Sequence, residues 1–282
     1  MSFNITKTKQ KRVVIVGGGF GGLKLANELH QSGFQVVLID KNNHHQFPPL
    51  IYQVASSGLE PSSISFPFRK LFNRHQDIHF RMAEAKQICP DRKILQTSIG
   101  NIDYDYLVLA AGTTSNFFGN KQIEAAAMPM KTLSEAMGLR NTLLSNLERS
   151  VTCDTTQERR ELLNVVIVGG GATGVEIAGA IAEMKRYILP KDYPEIDHSD
   201  LHIFLIEAGN RLLSGMSVKS SRKAEEFLRR MGVNIYLNKR VTDFVAHKVI
   251  LEDGMEIPTQ TFIWVSGVRA NEIGNLSSEA IG

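Results

Sequence analysis

Two glycine-rich segments of nearly identical sequence constrain the fold of this chain more than any other feature. The first reads VVIVGGGFGG over residues 13–22, and the second reads VVIVGGGATG over residues 165–174. In each, a short β-branched run typical of a buried strand leads into a G-x-G-x-x-G frame and then into a helical pattern. The frames consist of Gly17, Gly19 and Gly22 in the first segment and of Gly169, Gly171 and Gly174 in the second.

Each glycine segment is followed by a helix and by a second strand that ends in an acidic residue. We predict helices over 20–32 and about 173–187, and strands that end at Asp40 (QVVLID) and Glu207 (HIFLIE). The distance from Gly174 to Glu207 is longer than that from Gly22 to Asp40, because it includes the proline-containing segment 189–194, which is predicted to be a loop. An amphipathic helix is predicted over 133–149.

The regions that follow the two units also resemble each other. Both continue with a strand, a short strand pair with a turn (at Gly100-Asn101 and Asp253-Gly254), and an apolar strand that stops at Gly112 or Gly267. A repeat of this length indicates two copies of one design. The predicted fold class is therefore α/β, with two Rossmann-like dinucleotide-binding domains, the second inserted in the first. The expected boundaries are 1–117 for the first domain, 118–268 for the inserted domain and 269–282 for the return to the first.

The residue types in these units match the chemistry of dinucleotide binding. The first glycine permits a tight turn, the second lets the backbone approach a pyrophosphate, and the third lets the helix pack against the strand. The helix N-terminus attracts phosphate, and the acidic residue accepts hydrogen bonds from ribose. A glycine turn in an ordinary α/β sheet is the alternative, but two complete sets argue against it. Glu207, with no arginine over 208–210, favours NADH over NADPH, although Arg211 follows.

Composition narrows the remaining function classes. The net charge of +3, without a dense basic cluster, gives no indication of a nucleic-acid partner. No apolar run approaches the roughly 20 residues of a membrane helix, and the basic N-terminus is not a signal peptide because its apolar run is too short. The two cysteines fit a reducing compartment. Neither a metal-ligand spacing nor a Ser/His/Asp set is recognisable, so no metal site is predicted.

Three segments carry a resemblance to a known family. They are KNNHHQFPPLIYQVASSGLEPSSISFPFRKLF (41–72), YDYLVLAAGTTSN (104–116) and GGGATGVEIAGAIAE from residue 169. The order of motifs resembles the two-dinucleotide flavoprotein superfamily, and 43–55 is similar to the type II NADH dehydrogenases, the single-subunit, non-proton-pumping NADH:quinone oxidoreductases of respiratory chains. The resemblance implies that the first loop binds FAD and the second binds NADH. It further implies that hydride passes from NADH to flavin and that electrons then pass to a membrane quinone.

The resemblance also implies roles for individual residues. Glu176 is the expected catalytic residue near the reacting rings, and the alternative is a carboxylate that serves the helix dipole. Gly267 is expected to admit the nicotinamide ring, or is a plain turn glycine. His44 and His45 are expected to be surface or satisfied histidines. The implied FAD-binding residues are Gly17, Gly19, Phe20, Gly21, Gly22, Asp40, Lys41, Pro49, Gln53, Ala85 (ending the strand FRMAEA), Ala111 and Gly112, and those for NADH are Gly169, Gly171, Ala172, Thr173, Gly174, Glu207 and Gly267. For Pro49 and Gln53 the alternative is a helix start packed by Phe47 and Leu50.

Two departures from the family pattern affect what we expect. Ala111 stands where the superfamily usually has threonine, which removes one hydroxyl contact. The family continues well beyond the position of Gly282, so we expect a C-terminally truncated chain whose FAD site depends on the absent part. The complete protein is expected at the cytoplasmic face of the inner membrane, attached peripherally through that part, whereas this fragment is expected to be soluble. A homodimer is one option for its assembly.

Two other functions remain open at this point. An NADH-dependent ferredoxin- or rubredoxin-type reductase needs the same two loops but would lack the 43–55 pattern. A non-catalytic nucleotide-binding fragment is favoured if the truncation is natural. Disulfide reductases of the superfamily are excluded because no C-x₄-C follows Asp40, and Cys153 beside a polar loop reads as a bystander rather than as a thiol of a sulfide:quinone oxidoreductase.

Overall fold

The computed structural model describes residues 3–274. Its strands are β1 (Arg12–Val16), β2 (Gln35–Asp40), β3 (His44–Gln46), β4 (Ser65–Pro67), β5 (Ile78–Met82), β6 (Ala85–Cys89), β7 (Ile94–Thr97), β8 (Gly100–Asp103), β9 (Tyr106–Leu109), β10 (Thr113–Ser115), β11 (Met128–Pro129), β12 (Val165–Val168), β13 (Ile203–Ile206), β14 (Val233–Tyr236), β15 (Val241–Val245), β16 (Lys248–Leu251), β17 (Glu256–Pro258), β18 (Thr261–Trp264) and β19 (Val268–Ala270). Its α-helices are α1 (Phe20–Glu28), α2 (Ile51–Ala55), α3 (Phe68–Leu71), α4 (Lys121–Ala126), α5 (Leu133–Thr152), α6 (Thr156–Leu163), α7 (Ala172–Tyr187), α8 (Leu189–Asp192) and α9 (Val218–Arg230). Short 3₁₀ turns lie at Pro48–Leu50, Pro61–Ser63, Pro90–Arg92 and His198–Asp200.

The chain divides by its contacts into two units. The first contains the chain up to Gln46, Ser65–Thr114, and the chain from Arg269 onward. The second contains Phe47–Ile64 and Ser115–Val268. The second unit is thus inserted in the first, and the predicted fold class is confirmed. The contact division assigns 47–64 to the second unit, whereas the predicted boundary placed it in the first. Part of the predicted return segment, 275–282, lies outside the described residues.

The first unit is built on a parallel sheet with the strand order β5-β2-β1-β9. Side chains alternate between its two faces, as the pleat requires. Val14, Val16 and Val37 pack against the antiparallel meander β6-β7-β8, and Val13, Ile15 and Leu38 pack on the other face with Ala26 of α1 and Phe68 of α3. Both faces are covered, which explains why β1 and β2 are apolar almost throughout.

The second unit repeats this plan. Its parallel sheet has the order β11-β18-β12-β13-β14, and the meander β15-β16-β17 lies between β14 and β18 in the sequence. Ile167 and Leu205 face a cluster with Ile177 of α7 and Leu139 of α5, whereas Val166 faces the meander cluster. The predicted internal repeat therefore corresponds to two units with equivalent strand orders, and the second has one more edge strand, β11.

The segment 47–64 packs into the core of the second unit. Val54 and Ala55 of α2 and Ile64 are buried in the same cluster as Leu139 and Leu143 of α5. Its ends are joined by a backbone hydrogen bond of 2.9 Å from Phe47 N to Ile64 O. This packing is a long-range contact, which local patterns in the sequence do not encode.

Some predicted elements differ in detail from the structure. The helix predicted over 20–32 ends at Glu28, because the chain turns before Gly33, whose φ is +83°. The segment 189–194 is not simply a loop, since Leu189–Asp192 forms the one-turn helix α8 with Pro190 in its first turn, where proline is tolerated. Gly100 pairs with Thr97 at the start of β8, so the turn lies at Ser98-Ile99, two residues earlier than predicted. Within residues 3–274, no helix combines the length and apolar character needed to cross a bilayer.

Candidate functional site

The first glycine loop connects β1 to α1 in a conformation that needs glycine at two positions. Gly17 has φ +103°, and a Cβ atom there would lie 2.1 Å from the carbonyl oxygen of Ala110. A Cβ atom at Gly22 would lie 1.8 Å from the carbonyl oxygen of Gly17. Any larger residue at these positions would force the loop, β9 and α1 apart, so these glycines serve close backbone packing.

The carboxylate of Asp40 holds this loop from the neighbouring strand. Its Oδ2 accepts a 2.6 Å hydrogen bond from the backbone N–H of Gly18, and its Oδ1 accepts a 2.8 Å bond from the N–H of Asn42. On the other side of the loop, His45 Nδ1 lies 2.9 Å from the carbonyl oxygen of Gly18. Since a carbonyl oxygen only accepts, Nδ1 carries the proton. Gly18 is thus held at both its N–H and its carbonyl group.

The second loop has the same construction. Gly169 has φ +115°, and a Cβ atom at Gly174 would lie 1.8 Å from the Gly169 carbonyl oxygen. Glu207 is the equivalent of Asp40. Its Oε2 accepts a 2.6 Å hydrogen bond from Gly170 N–H, and its Oε1 accepts a 2.7 Å hydrogen bond from Gly209 N–H. The two units therefore use one hydrogen-bonding pattern, in which the acidic side chain positions the middle glycine of the GGG triplet, Gly18 or Gly170.

The outer positions of both loops leave space for a ligand. Apart from the adjacent residues and the backbone of the helix itself, no atom lies within 4 Å of the place where a Cβ atom would sit at Gly19, Gly21 or Gly171. Gly19 and Gly171 are the N-cap residues of α1 and α7, and neither cap is satisfied by a side chain. Helix N-terminal N–H groups with open space in front of them bind phosphate groups well. Both loops therefore fit the pyrophosphate of a dinucleotide.

The only arginine near Glu207 in sequence is engaged with its own loop. Arg211 Nη1 donates to the Met216 carbonyl oxygen at 3.0 Å, and Nη2 donates to the Ser214 carbonyl oxygen at 2.5 Å. A guanidinium held this way has fewer N–H groups to offer a 2′-phosphate. The geometry supports the preference for a free ribose hydroxyl that the sequence indicated.

The segments after β9 and β18 adjoin the two loops in the same manner. A Cβ atom at Gly17 would contact the Ala110–Ala111 backbone, and one at Gly169 would lie 2.8 Å from Val265 and 2.9 Å from Ser266. In the first unit, Asn271 fastens this segment: its side-chain amide donates to the Ala111 carbonyl oxygen at 2.7 Å, and its backbone N–H donates to the Gly112 carbonyl oxygen at 3.1 Å.

Gly267 has φ +83°, and the ring of Phe118 lies where its Cβ atom would be, with Cζ at 2.8 Å. The side of Gly267 that the missing side chain leaves open is therefore occupied by an aromatic ring. Ala172 and Thr173 begin α7 directly after the loop. These residues lie together with Gly169, Gly174 and Glu207 in the second unit.

Glu176 lies in the first turns of α7. The residue is exposed, and desolvation by the atoms around its carboxyl group raises its pKa above the ordinary value of 4.5. The positive end of the helix dipole favours the charged form of an acid near a helix N-terminus. The pKa shift of Glu176 is upward, and its cause is desolvation.

The remaining predicted site residues fall into both units. Lys41 is exposed after β2 in the first unit. Pro49 lies in the 3₁₀ turn before α2 in the second unit, and Gln53 of α2 donates through Nε2 to the Tyr52 hydroxyl at 3.1 Å. Ala85 is placed differently from its prediction: β5 ends at Met82, and Ala85 begins β6. The chain leaves β5 there because Glu84 bonds to Ser98 of the meander through its N–H and its carbonyl group.

The structure adds site residues that the sequence reasoning missed. Gly18 and Gly170 make the hydrogen bonds to the acidic residues, and the repeated third glycine of the GGG triplets was the available signal. His45 is buried and hydrogen-bonded to the Gly18 carbonyl group, as expected of a histidine with a satisfied ring nitrogen. This bond also makes His45 part of the first loop's surroundings. Phe118 was not singled out, because its contact with Gly267 joins distant parts of the sequence.

Comparisons with known proteins agree with this geometry. A profile of the pyridine nucleotide-disulphide oxidoreductase family matches residues 11–281. The type II NADH:quinone oxidoreductases Ndh and NdhA of Mycobacterium tuberculosis are 31% and 33% identical, over 94% and 95% of this chain. The chain spans 59% of the length of each of these curated relatives. A solved structure of NDH2 from Plasmodium falciparum in complex with NADH superimposes with a TM-score of 0.88 at 24% identity, covering 93% of this chain and 56% of that one.

Proposed function

Because the chain belongs to the pyridine nucleotide-disulphide oxidoreductase family, we propose that it is an FAD-dependent oxidoreductase that takes hydride from NADH and passes electrons to a membrane quinone. The observation that carries the proposal is the duplicated glycine loop. Each loop has open space before a helix N-terminus, and in each the middle glycine of the GGG triplet bonds to an acidic side chain. Two such sites in one chain are what an enzyme with two dinucleotides requires. The similarity to type II NADH:quinone oxidoreductases supports quinone as the acceptor.

We assign FAD to the first loop and NADH to the second. In the first unit, Gly19, Phe20, Gly21 and the start of α1 would hold the pyrophosphate, and Asp40 the ribose. In the second unit, Gly171, Ala172 and Thr173 would hold the pyrophosphate of NADH, and Glu207 its ribose. When bound, the flavin supplies the chemistry of accepting a hydride and releasing electrons. The chain's own groups bind and orient the two nucleotides.

The electrostatics of the second loop favour NADH over NADPH. The Glu207 carboxylate repels a 2′-phosphate, and Arg211 is bonded to carbonyl oxygens of its own loop. Recognition of the ribose by an acidic residue at this position is the usual basis of NAD selectivity. Comparison of NADH with NADPH as reductant tests this part of the proposal, and equal efficiency would contradict it.

Glu176 is the residue that we assign to proton handling beside the reacting rings. Its raised pKa leaves a larger neutral fraction than an ordinary glutamate has, so the carboxyl group exchanges a proton closer to neutral pH. Pro49, Gln53 and Gly267 are proposed to line the same region, and Lys41, Ala85, Ala111 and Gly112 to contact FAD. In the cell we propose peripheral attachment to the cytoplasmic face of the inner membrane and, as one option, a homodimer.

Alanine substitutions in the two loops test the assignment in a crossed design. Gly19→Ala and Gly171→Ala each place a methyl group in the open space where a pyrophosphate would approach. We expect Gly171→Ala to weaken NADH binding at least tenfold while FAD binding is kept, and Gly19→Ala to do the reverse. Gly174→Ala is the structural control, because its methyl group meets backbone and lowers thermal stability instead.

Titration calorimetry with each nucleotide provides the measurement. If Gly171→Ala and Gly19→Ala leave both affinities unchanged, the loops do not bind dinucleotides in the proposed manner. If each variant loses the nucleotide assigned to the other loop, the assignment is reversed. Far-UV circular dichroism of both variants should match the unsubstituted chain, since no atom beyond the adjacent residues lies within 4 Å of the new methyl groups.

A further inference from the structure

Two neighbouring phenylalanines near the start of segment Ser115–Val268 of the second unit have opposite environments. Phe117 is partly buried against the meander cluster, with its ring 6.0 Å from that of Trp264. Phe118 is 67% exposed, and its ring edge lies against Gly267. Most of the Phe118 ring is therefore accessible for contact with a ligand next to Gly267.

The backbone holds the Phe118 ring in this place. Phe118 has φ +52°, in the left-handed region that bulky residues rarely adopt. Its N–H donates to Asn116 Oδ1 at 2.9 Å, and the Asn116 carbonyl oxygen accepts a 2.9 Å bond from Trp264 Nε1. Asn116 N–H donates to the Gly267 carbonyl oxygen at 3.3 Å. Unfavourable conformations that the surroundings maintain cluster at functional sites.

The strand order defines which part of a dinucleotide would reach Phe118. Glu207 follows β13, the glycine loop follows β12, and residues 265–267 follow β18, in adjacent positions along the sheet. A dinucleotide with its adenosine ribose at Glu207 and its pyrophosphate at the loop continues toward the carboxyl end of β18. The nicotinamide half therefore falls beside Val265–Gly267, where the Phe118 ring is exposed.

We propose that Phe118 contacts the nicotinamide ring of bound NADH and NAD⁺ and thereby determines the affinity for the nicotinamide half of the dinucleotide. This proposal rests on the proposed binding of NADH to the second loop. An exposed aromatic ring attracts a flat heteroaromatic ring by stacking, and a cationic ring more strongly. Phe118 then serves as a side wall of the nicotinamide pocket, and the missing side chain of Gly267 leaves room for the Phe118 ring itself.

ADP-ribose, which contains every part of NAD⁺ except nicotinamide, isolates this contribution. We expect Phe118→Ala to weaken NAD⁺ binding by about 2- to 10-fold, in line with the usual strength of an aromatic contact, and to leave ADP-ribose binding unchanged. Phe118→Tyr keeps the ring and should restore NAD⁺ affinity. Phe118→Leu keeps apolar bulk without the ring, should fold as the unsubstituted chain does, and should weaken NAD⁺ as Phe118→Ala does.

Phe227→Ala is the matched control, because Phe227 is a 56% exposed phenylalanine in the same unit, on α9, and packs on Arg230. It should change neither affinity. Titration calorimetry gives three results that overturn the proposal: Phe118→Ala weakens both ligands equally, changes neither, or strengthens NAD⁺ binding because the ring obstructs the site. If the unsubstituted chain binds neither ADP-ribose nor NAD⁺, the proposed function of the second loop fails instead.

Discussion

Single residues in this chain show how one residue type serves two purposes. Gly17, Gly22, Gly169 and Gly174 are required by contacts inside the protein, whereas Gly19 and Gly171 face open space and are explained by a ligand. The same distinction applies to the acids. Asp40 and Glu207 bond to the loops that they follow, so each supports its loop even before it meets a ribose.

The raised pKa of Glu176 makes a prediction about stability and pH. Desolvation favours the protonated form of Glu176 in the folded state. The contribution of Glu176 to stability is therefore present below pH 4.5 and is lost as the pH rises through the raised pKa. Glu176→Gln removes the charge. The variant should therefore match the unsubstituted chain in unfolding free energy near pH 4.5 and exceed it slightly at neutral pH.

Urea unfolding over a series of pH values measures this difference. Glu183→Gln, which removes one negative charge from an exposed position of α7, is the matched control. A Glu176→Gln variant that is less stable than the unsubstituted chain at neutral pH would show that favourable interactions of the charge, such as the helix dipole, outweigh desolvation.

His45 gives a second prediction at the residue scale. Its Nδ1–H bonds to the Gly18 carbonyl oxygen, and the side chain is buried. His45→Ala leaves that carbonyl without its partner and loosens the first loop, so we expect weaker FAD binding, by about 5- to 30-fold for a lost buried hydrogen bond of 1–2 kcal/mol. His44→Ala, on the same strand and with its ring bonded to the neighbouring Asn43 side chain, is the control. Equal FAD affinity in the two variants would show that His45 does not contribute to FAD binding.

At the scale of elements, helix α5 illustrates how local sequence signals act. Thr132 accepts a hydrogen bond from Glu135 N–H at 3.2 Å, and Glu135 Oε2 accepts one from Thr132 N–H at 2.8 Å, which forms a capping box. Thr132→Ala should lower the unfolding free energy by about 1 kcal/mol. Thr132→Ser keeps the hydroxyl group and should retain most of the stability. Chemical denaturation tests this, and equal losses in the two variants would exclude the hydroxyl as the cause.

The elements that the sequence predicted well are those with local signals. The strand over 35–40 has the predicted bounds, and the glycine frames, the acidic strand ends and the amphipathic helix between the units are all present. The positions of Ala85, of the turn before Gly100 and of Leu189–Asp192 were wrong in detail, because tertiary hydrogen bonds and helix packing decide them. The contacts of His45 with Gly18 and of Phe118 with Gly267 have no local signal at all.

At the scale of the whole molecule, the chain passes between its two units at four points, after Gln46, Ile64, Thr114 and Val268. The segment 47–64 carries most of the family-like 43–55 pattern yet belongs by contact to the second unit. The sequence analysis placed it in the first domain, with expected bounds 1–117. Packing of α2 on α5 is the physical reason for the difference.

Core truncations in the two units test this division. Val54 and Val37 are both 0% exposed, in the second and first unit respectively. Val54→Ala should accelerate hydrogen exchange chiefly in α5 and α7, and Val37→Ala chiefly in β1 and β2, because a cavity lowers the local free energy of opening. Val54→Ala would contradict the division if it accelerated exchange in β1 and β2 and left α5 and α7 protected.

The central claim is that one chain binds FAD and NADH and passes hydride between them. An anaerobic visible spectrum of the chain with bound FAD, recorded before and after addition of NADH, tests it most directly, with Gly171→Ala as the control that retains FAD. We predict that NADH bleaches the flavin band of the unsubstituted chain and that the variant needs more NADH for the same bleaching. An unchanged flavin band, with binding of both nucleotides shown by calorimetry, would contradict the claim.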